Sequence, residues 1–148
     1  PEPYEDELFY SVLARHADHM GLHDTAAFNQ LVFGTARLRP TIEIPPRLDL
    51  LLPRLLPGSP FNGPGIIANN SLVPYFTMFL SDRTIAEATQ RALQADMVPA
   101  FSQLGVKTII SALRLRLCDK CLDADRKAAR EPYWRRAHQL PGCAVCHV

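Results

Sequence analysis

All four cysteines of this 148-residue chain lie close to its C-terminal end, in two C-x-x-C pairs. Cys118 and Cys121 form the first pair and Cys143 and Cys146 the second, with 21 residues between them. Thiolates two residues apart on a tight knuckle can face one tetrahedral ion, and a second knuckle from a distant segment completes the shell. The spacing points to a structural zinc ion on Cys118, Cys121, Cys143 and Cys146. Two disulfides would require an oxidising compartment, and nothing in the sequence indicates secretion. A redox C-x-x-C requires a βαβ context that the surrounding residues lack. Four protein ligands leave no open coordination position, so such an ion organises structure and does not activate water. A segment this poor in apolar residues takes much of its folding free energy from the ion.

A chain of this length can bury roughly 68–70% of its unfolded surface. The natural expectation is a helical domain over residues 1–110 followed by a zinc module over 111–148. An apolar share of 47% and a charged share of 21% exclude a disordered chain. The apolar runs Leu50–Leu52 and Ser71–Leu80 fall short of the ~20 residues that a membrane helix needs. The opening Pro-Glu-Pro-Tyr-Glu-Asp-Glu is not a leader, and a cytoplasmic protein is expected.

The net charge of +1 conceals an asymmetry. Residues 1–110 hold 8 Lys/Arg against 11 Asp/Glu, whereas residues 111–148 hold 8 against 4. Arg114, Arg116, Lys120, Arg126, Lys127, Arg130, Arg135 and Arg136 surround the cysteines, with Tyr133 and Trp134 among them. Phosphate contacts need Arg and Lys on one surface, and aromatics can stack on bases. These eight residues are the candidate DNA contacts. The plainer reading is a solvated mixed-charge face, with Trp134 as an apolar plug over the zinc knuckle.

Helical periodicity dominates the rest. Leu8, Phe9, Val12, Leu13, Ala17 and Met20 recur at three and four, which predicts a helix over 5–20 with Glu5, Asp6 and Glu7 in its first turn. Gly21 ends it, Asp24 caps a second helix with Phe28, Leu31 and Val32 inward, and Gly34 stops that one. The pair is helix-turn-helix-like. A leucine-rich helix over 47–56 is expected to break near Pro53. One or two helical turns follow at Ile66–Asn70, and Ser71–Leu80 is ambiguous between helix and strand. Asp82 is expected to cap a helix over Thr84–Gln94. Another helix is expected over Asp96–Leu104, a strand over Val106–Leu117, and a short helix over Pro132–Leu140.

Other motifs carry little. His16, His19 and His23 stand at i, i+3 and i+7, but Gly21 ends the helix before His23, so they read as ordinary histidines. Gly58-x4-Gly63 lacks the lysine of a phosphate loop, since Pro64 follows. No nucleophile–base pair is evident, and no enzyme is expected.

Three blocks resemble a known family. They are Cys118-Asp-Lys-Cys121-Leu-Asp-Ala-Asp125, Glu131-Pro-Tyr-Trp134-Arg-Arg-Ala-His138-Gln-Leu-Pro-Gly142, and Val145-Cys146. Together they are similar to the zinc-finger signature of the TniQ/TnsD family. Tyr4–Arg15, Leu31–Gly34 and Asn69–Phe76 resemble that family's N-terminal and middle blocks. The resemblance implies a mainly α fold, helix-turn-helix-like at the N-terminus, with a C-terminal zinc-finger or zinc-ribbon module. It implies a target-site selection adaptor in DNA transposition, which binds target DNA, or a CRISPR effector complex at the target, and recruits an AAA+ ATPase transposition regulator. The family pattern usually ends C-x-x-H, with its histidine one position past Val148 and an apolar residue where Cys143 stands. The fourth ligand stays open between Cys143, a histidine beyond the end, and His147, and a truncated module is expected.

The acidic start makes the first helix a poor reader of DNA, because phosphates repel it. Tyr4, Glu5, Glu7 and Leu8 are therefore expected to face a protein partner. The rival readings are a zinc-ribbon transcriptional regulator unconnected with transposition, and a thiol oxidoreductase.

Overall fold

The structure, a computed structural model, describes residues 1–37, 42, 47–55, 57–94, 114–128 and 130–146. The helix expected over Asp96–Leu104, and most of the strand expected over Val106–Leu117, lie outside the described residues. Eight helices and no strand occur among the described residues: α1 (Phe9–His19), α2 (Thr25–Phe33), α3 (Leu48–Leu55), α4 (Gly63–Asn70), α5 (Val73–Thr77), α6 (Asp82–Gln94), α7 (Asp119–Lys127) and α8 (Arg136–Gln139). The mainly α expectation is met. None of the described helices is long and apolar enough to cross a membrane.

Local chemistry sets several boundaries. The Asp24 carboxylate accepts the Ala26 N–H at 2.9 Å and starts α2. Gly34 ends α2 at φ 74°, a left-handed conformation in which a Cβ is strained. Asn62 caps α4 by accepting the Gly65 N–H at 2.8 Å. At α6 the cap is Ser81, whose hydroxyl accepts the Thr84 N–H at 3.3 Å. Pro53 lies inside α3 and does not break it; the missing N–H falls in the last turn, where one lost bond is tolerated. The Ser71–Leu80 stretch resolves as the short helix α5.

Two expectations about the first helices are corrected. The first helix begins at Phe9, and no acidic residue occupies its first turn. Asp6 takes φ 57°, and Glu7 forms an isolated antiparallel bridge with Arg135. The chain turns there to meet the cysteine segment instead of starting a helix. Leu31 is 55% exposed, and the buried face of α2 is carried by Phe28, Asn29 and Val32.

The apolar core gathers Phe9, Val12 and Leu13 of α1, Phe28 and Val32 of α2, Leu48, Leu51, Leu52 and Leu55 of α3, Ile66 and Ile67 of α4, and Val73. Helix α3 packs on α2, α4 and α6, and α4 packs on α5 and α6. Burying one such side chain stabilises the fold by about 1.5–3 kcal/mol. The cysteine segment contributes none of these core residues. It is joined to the rest by a different chemistry.

Candidate functional site

Cys118 is the N-cap of α7, which places Cys121 inside the first turn on the buried side. Three thiols, those of Cys118, Cys121 and Cys146, lie within 4.8 Å of one another. Cys121 Sγ and Cys146 Sγ are 3.5 Å apart. Sulfurs on one tetrahedral zinc ion, with bonds of about 2.3 Å, stand about 3.8 Å apart, so the three fit one metal ion. All four cysteines are free thiols. Cys143 stands outside the trio and donates its thiol hydrogen to the Val145 carbonyl at 3.3 Å. His147 lies outside the described residues.

The electrostatics of the trio favour a cation. Burial, aided by hydrogen bonds from the neighbouring Cys146 and Cys118, pushes the Cys121 thiol up to about 12. The Cys121 backbone N–H is the main influence holding the Cys118 thiol below its ordinary value. Several thiolates cannot share so small a space without a positive charge between them, and a bound cation reverses that penalty.

Beside the trio runs a polar seam that the sequence reading did not foresee. The Leu8 N–H donates to the Trp134 carbonyl, and the Arg136 N–H donates to the Asp6 carbonyl, each at 2.8 Å. The Asp6 carboxylate accepts from Arg136 Nε at 3.0 Å and from the Ala137 N–H at 3.1 Å. The fully buried Glu7 carboxylate accepts from the Tyr4 N–H, the Ser11 hydroxyl and Arg15 Nη1 at 2.7–2.9 Å. Burial still pushes the Glu7 carboxyl above its ordinary value, with those donors pulling the other way. Arg15 also reaches Glu131 at 2.8 Å, and His19 meets Glu131 from the other side at 2.5 Å.

The basic residues divide into two sets. Arg135 forks onto the buried Asp125 with bonds of 2.8 and 2.6 Å, and its guanidinium lies 4.1 Å above the Tyr133 ring. Arg136 donates to Asp6 and to the Ala68 carbonyl. Arg116 donates to the carbonyls of Cys143 and Leu140 at 2.6 and 2.7 Å. These three tie the segment together. Arg114, Lys120, Arg126, Lys127 and Arg130 are exposed, as is Arg116 despite its two carbonyl partners; Arg126 pairs with Asp123 on its own helix and Arg130 lies 5.8 Å from the Tyr4 ring. Part of the apparent charge asymmetry is thus neutralised internally, by carboxylates of both halves.

The aromatic residues follow the same logic. Tyr133 is buried against Tyr4, ring centroids 5.0 Å apart, and its hydroxyl donates to the Glu5 carbonyl at 3.2 Å. Trp134 is half-buried and faces Tyr10 of α1 at 6.1 Å. Glu7 and Leu8 are both 0% exposed and lie inside the seam, while Glu5 faces solvent and Tyr4 is half-buried. The one early signal was the acidic run 5–7 matched by Arg135-Arg136, and its pairing spans about 130 positions of sequence.

The chain is 24% identical over 148 residues to the transposon Tn7 transposition protein TnsD of Escherichia coli. That alignment covers 99% of this chain and 29% of the relative, so the chain spans less than a third of the relative's length. The TniQ family model matches residues 1–148, which takes in both the cysteine trio and the seam that anchors it, and on that match the chain belongs to the TniQ family.

Proposed function

We propose that this chain selects the target site in DNA transposition, as an adaptor and not as a catalyst. The observation that carries the reading is a family match running through the cysteine trio and the N-terminal seam together, alongside the likeness to a transposition protein. In this reading the trio of Cys118, Cys121 and Cys146 holds zinc in a zinc-finger module, and a donor outside the trio completes the shell. When bound, the ion supplies charge neutralisation and a rigid four-way link, with no open position for water activation. The chain's own residues do the rest. Cys118 and Cys121 present sulfur from one helical turn, and Asp125 and Arg135 lock that turn to the segment bearing α8.

DNA is then contacted by the exposed basic set, Arg114, Lys120, Arg126, Lys127 and Arg130. Arg116, Arg135 and Arg136 serve the fold first. Target choice runs through DNA directly or through a CRISPR effector complex at the target. An AAA+ ATPase transposition regulator is recruited on the N-terminal face, where Tyr4 and Glu5 retain exposure while Glu7 and Leu8 support them from beneath. A cytoplasmic setting fits free thiols kept for a metal.

The test is binding of the full-length protein to a panel of duplexes over a range of salt, with and without the AAA+ ATPase. Retention of the ATPase only on the protein–DNA complex is the expected result. Removing each exposed basic residue should lower the salt slope by about one. Tight sequence-specific binding that leaves the ATPase in solution would overturn the reading in favour of a transcriptional regulator.

A further inference from the structure

We propose that the groove between α1 and α2 is a docking site for a basic amphipathic helix of a protein partner. The groove shares no residue with the cysteine trio or with the exposed basic set, so the inference depends on neither the zinc reading nor the DNA reading above. It holds about 650 Å³. Helix α1 supplies Tyr10, Leu13, Ala14, Ala17 and Asp18, and Leu22, Thr25 and Phe28 face them from the other side. Leu13 and Phe28 are buried at its floor, Ala14, Ala17 and Leu22 are half-buried, and Asp18 and Thr25 are exposed at its rim.

The sides of α1 meet different fates. Phe9, Val12 and Leu13 enter the apolar core. Ser11 and Arg15 bond to Glu7 in the seam. Tyr10, Ala14, Ala17 and Asp18 line the groove at i, i+4, i+7 and i+8. That spacing makes one stripe, about 12 Å long at 1.5 Å per residue. A stripe of this period accepts a second helix laid along it, through anchors that recur at three and four. Ala14 and Ala17 put only methyl groups in its middle, so a partner helix can approach closely. Strand addition, the other common way to seat a peptide, needs an open sheet edge, and no strand occurs among the described residues.

Charge selects the occupant. From Leu8 to Gly34 the only Lys or Arg is Arg15, whose guanidinium is engaged by Glu7 and Glu131. Asp18 and Asp24 are the only carboxylates of that stretch, and both are exposed. Asp24 caps α2, but the Asp18 side chain has no hydrogen bond or ion pair among the described residues. Asp18 also stands in the last turn of α1, where the helix dipole is negative and a carboxylate is unfavourable unless a cation meets it. His16, His19 and His23 add little positive charge at neutral pH. The rim of the groove therefore attracts Lys or Arg and repels phosphate, which points to a cationic peptide and away from nucleic acid.

The test uses the full-length protein and labelled synthetic peptides of about 18 residues, long enough to be helical. One is a Leu/Lys amphipathic helix, one its Leu/Glu counterpart, and one a Leu/Lys peptide of the same composition with the apolar stripe scrambled. Fluorescence anisotropy gives affinity, and a photoreactive leucine on the apolar stripe, mapped by mass spectrometry, gives location. The Leu/Lys helix should bind best and cross-link within residues 10–29. Ala14→Phe fills the groove at constant charge and should weaken that binding by about tenfold or more. Asp18→Asn should weaken it by about two- to fivefold. If near-ultraviolet circular dichroism shows that Ala14→Phe is not folded, Thr25→Arg at the exposed rim carries the same test, with a loss of about two- to fivefold. A scrambled peptide that binds as tightly, or cross-links outside the groove, would reduce the effect to general charge attraction and overturn the proposal. Equal binding of the Leu/Glu helix would overturn it as well. Self-association of the wild-type protein that Ala14→Phe abolishes would make a second copy the occupant, against the proposal. Binding to the duplex panel should be the same in every variant, so a failure of the target-selection reading shows in a separate measurement.

Discussion

The helical core and the cysteine segment are held by opposite kinds of interaction. The core spreads its stability over a dozen apolar side chains from α1 to α5, each contributing a modest share by burial. The seam concentrates its stability in few groups, several of which are shared. Glu7 serves Tyr4, Ser11 and Arg15; Arg15 serves Glu7 and Glu131; Asp6 serves Arg136 and Ala137. Damage to the core should therefore be graded, and damage to the seam should propagate. Because residues 4–15 sit in both regions, loss of the proposed zinc ion should be felt at the start of α1, far away in sequence.

On the proposed zinc reading, removing the ion tests this most severely. Chelation, or Cys121→Ser, forfeits a binding free energy on the order of 10 kcal/mol for a structural zinc site. Hydrogen exchange should show lost protection across residues 118–146 and at the Leu8 amide, while α2 to α4 keep theirs. Uniform loss across Phe28, Val32 and Ile66 would abolish the distinction between the two regions.

The next effect pits one buried residue from each region against the other. Glu7→Ala leaves Arg15 buried beside an empty site and should cost about 3–5 kcal/mol. Leu48→Ala, at the centre of the core, should cost about 2–5 kcal/mol through lost burial and a cavity. Denaturant midpoints give both numbers, and a Glu7/Arg15 double-mutant cycle gives the quantity that matters. Coupling well above that between Leu48 and Ile66 supports a concentrated seam, and equal coupling argues against one.

Backbone strain gives a smaller, purely local effect. Gly34→Ala puts a Cβ at φ 74° and should cost about 1–2 kcal/mol with no change in metal affinity.

The weakest effect is titration at the outer end of the seam. Hydrogen bonding from His19, followed by Arg15, holds the Glu131 carboxyl below its ordinary 4.5. A carboxyl lowered by folding stabilises fully above its unfolded value and loses that contribution as pH falls through the folded one. Stability should drop on acidification below about pH 4.5, and Glu131→Gln should flatten that limb. An acid limb identical in the variant would show that the His19–Glu131–Arg15 contact is only surface decoration.

Much was legible before any coordinates. The cysteine spacing located the sulfurs, and the punctuation at Asp24 and Gly34 matched real helix ends, whereas α4 starts at Gly63, ahead of the expected Ile66. These signals are short-range: a cap acts on an amide two or three residues away, so the chain carries its own instruction locally. The sequence reading placed the first helix four residues too early because periodicity reports which face is apolar and not where the backbone turns. It treated all eight basic residues alike, because nothing within a few positions of Arg135 or Arg136 distinguishes a fold-tying arginine from a solvated one.

By itself, then, the order of residues determined the mainly helical class, four cysteines spaced for a metal, and membership of a family, whereas the gathering of Cys118, Cys121 and Cys146 without Cys143 is a tertiary result. Only the folded chain decided which arginines were already committed and that Glu7 is interior. Those outcomes depend on partners up to 131 positions apart. A contact at that separation forms only once the whole chain has paid its ordering entropy, so no local pattern can announce it.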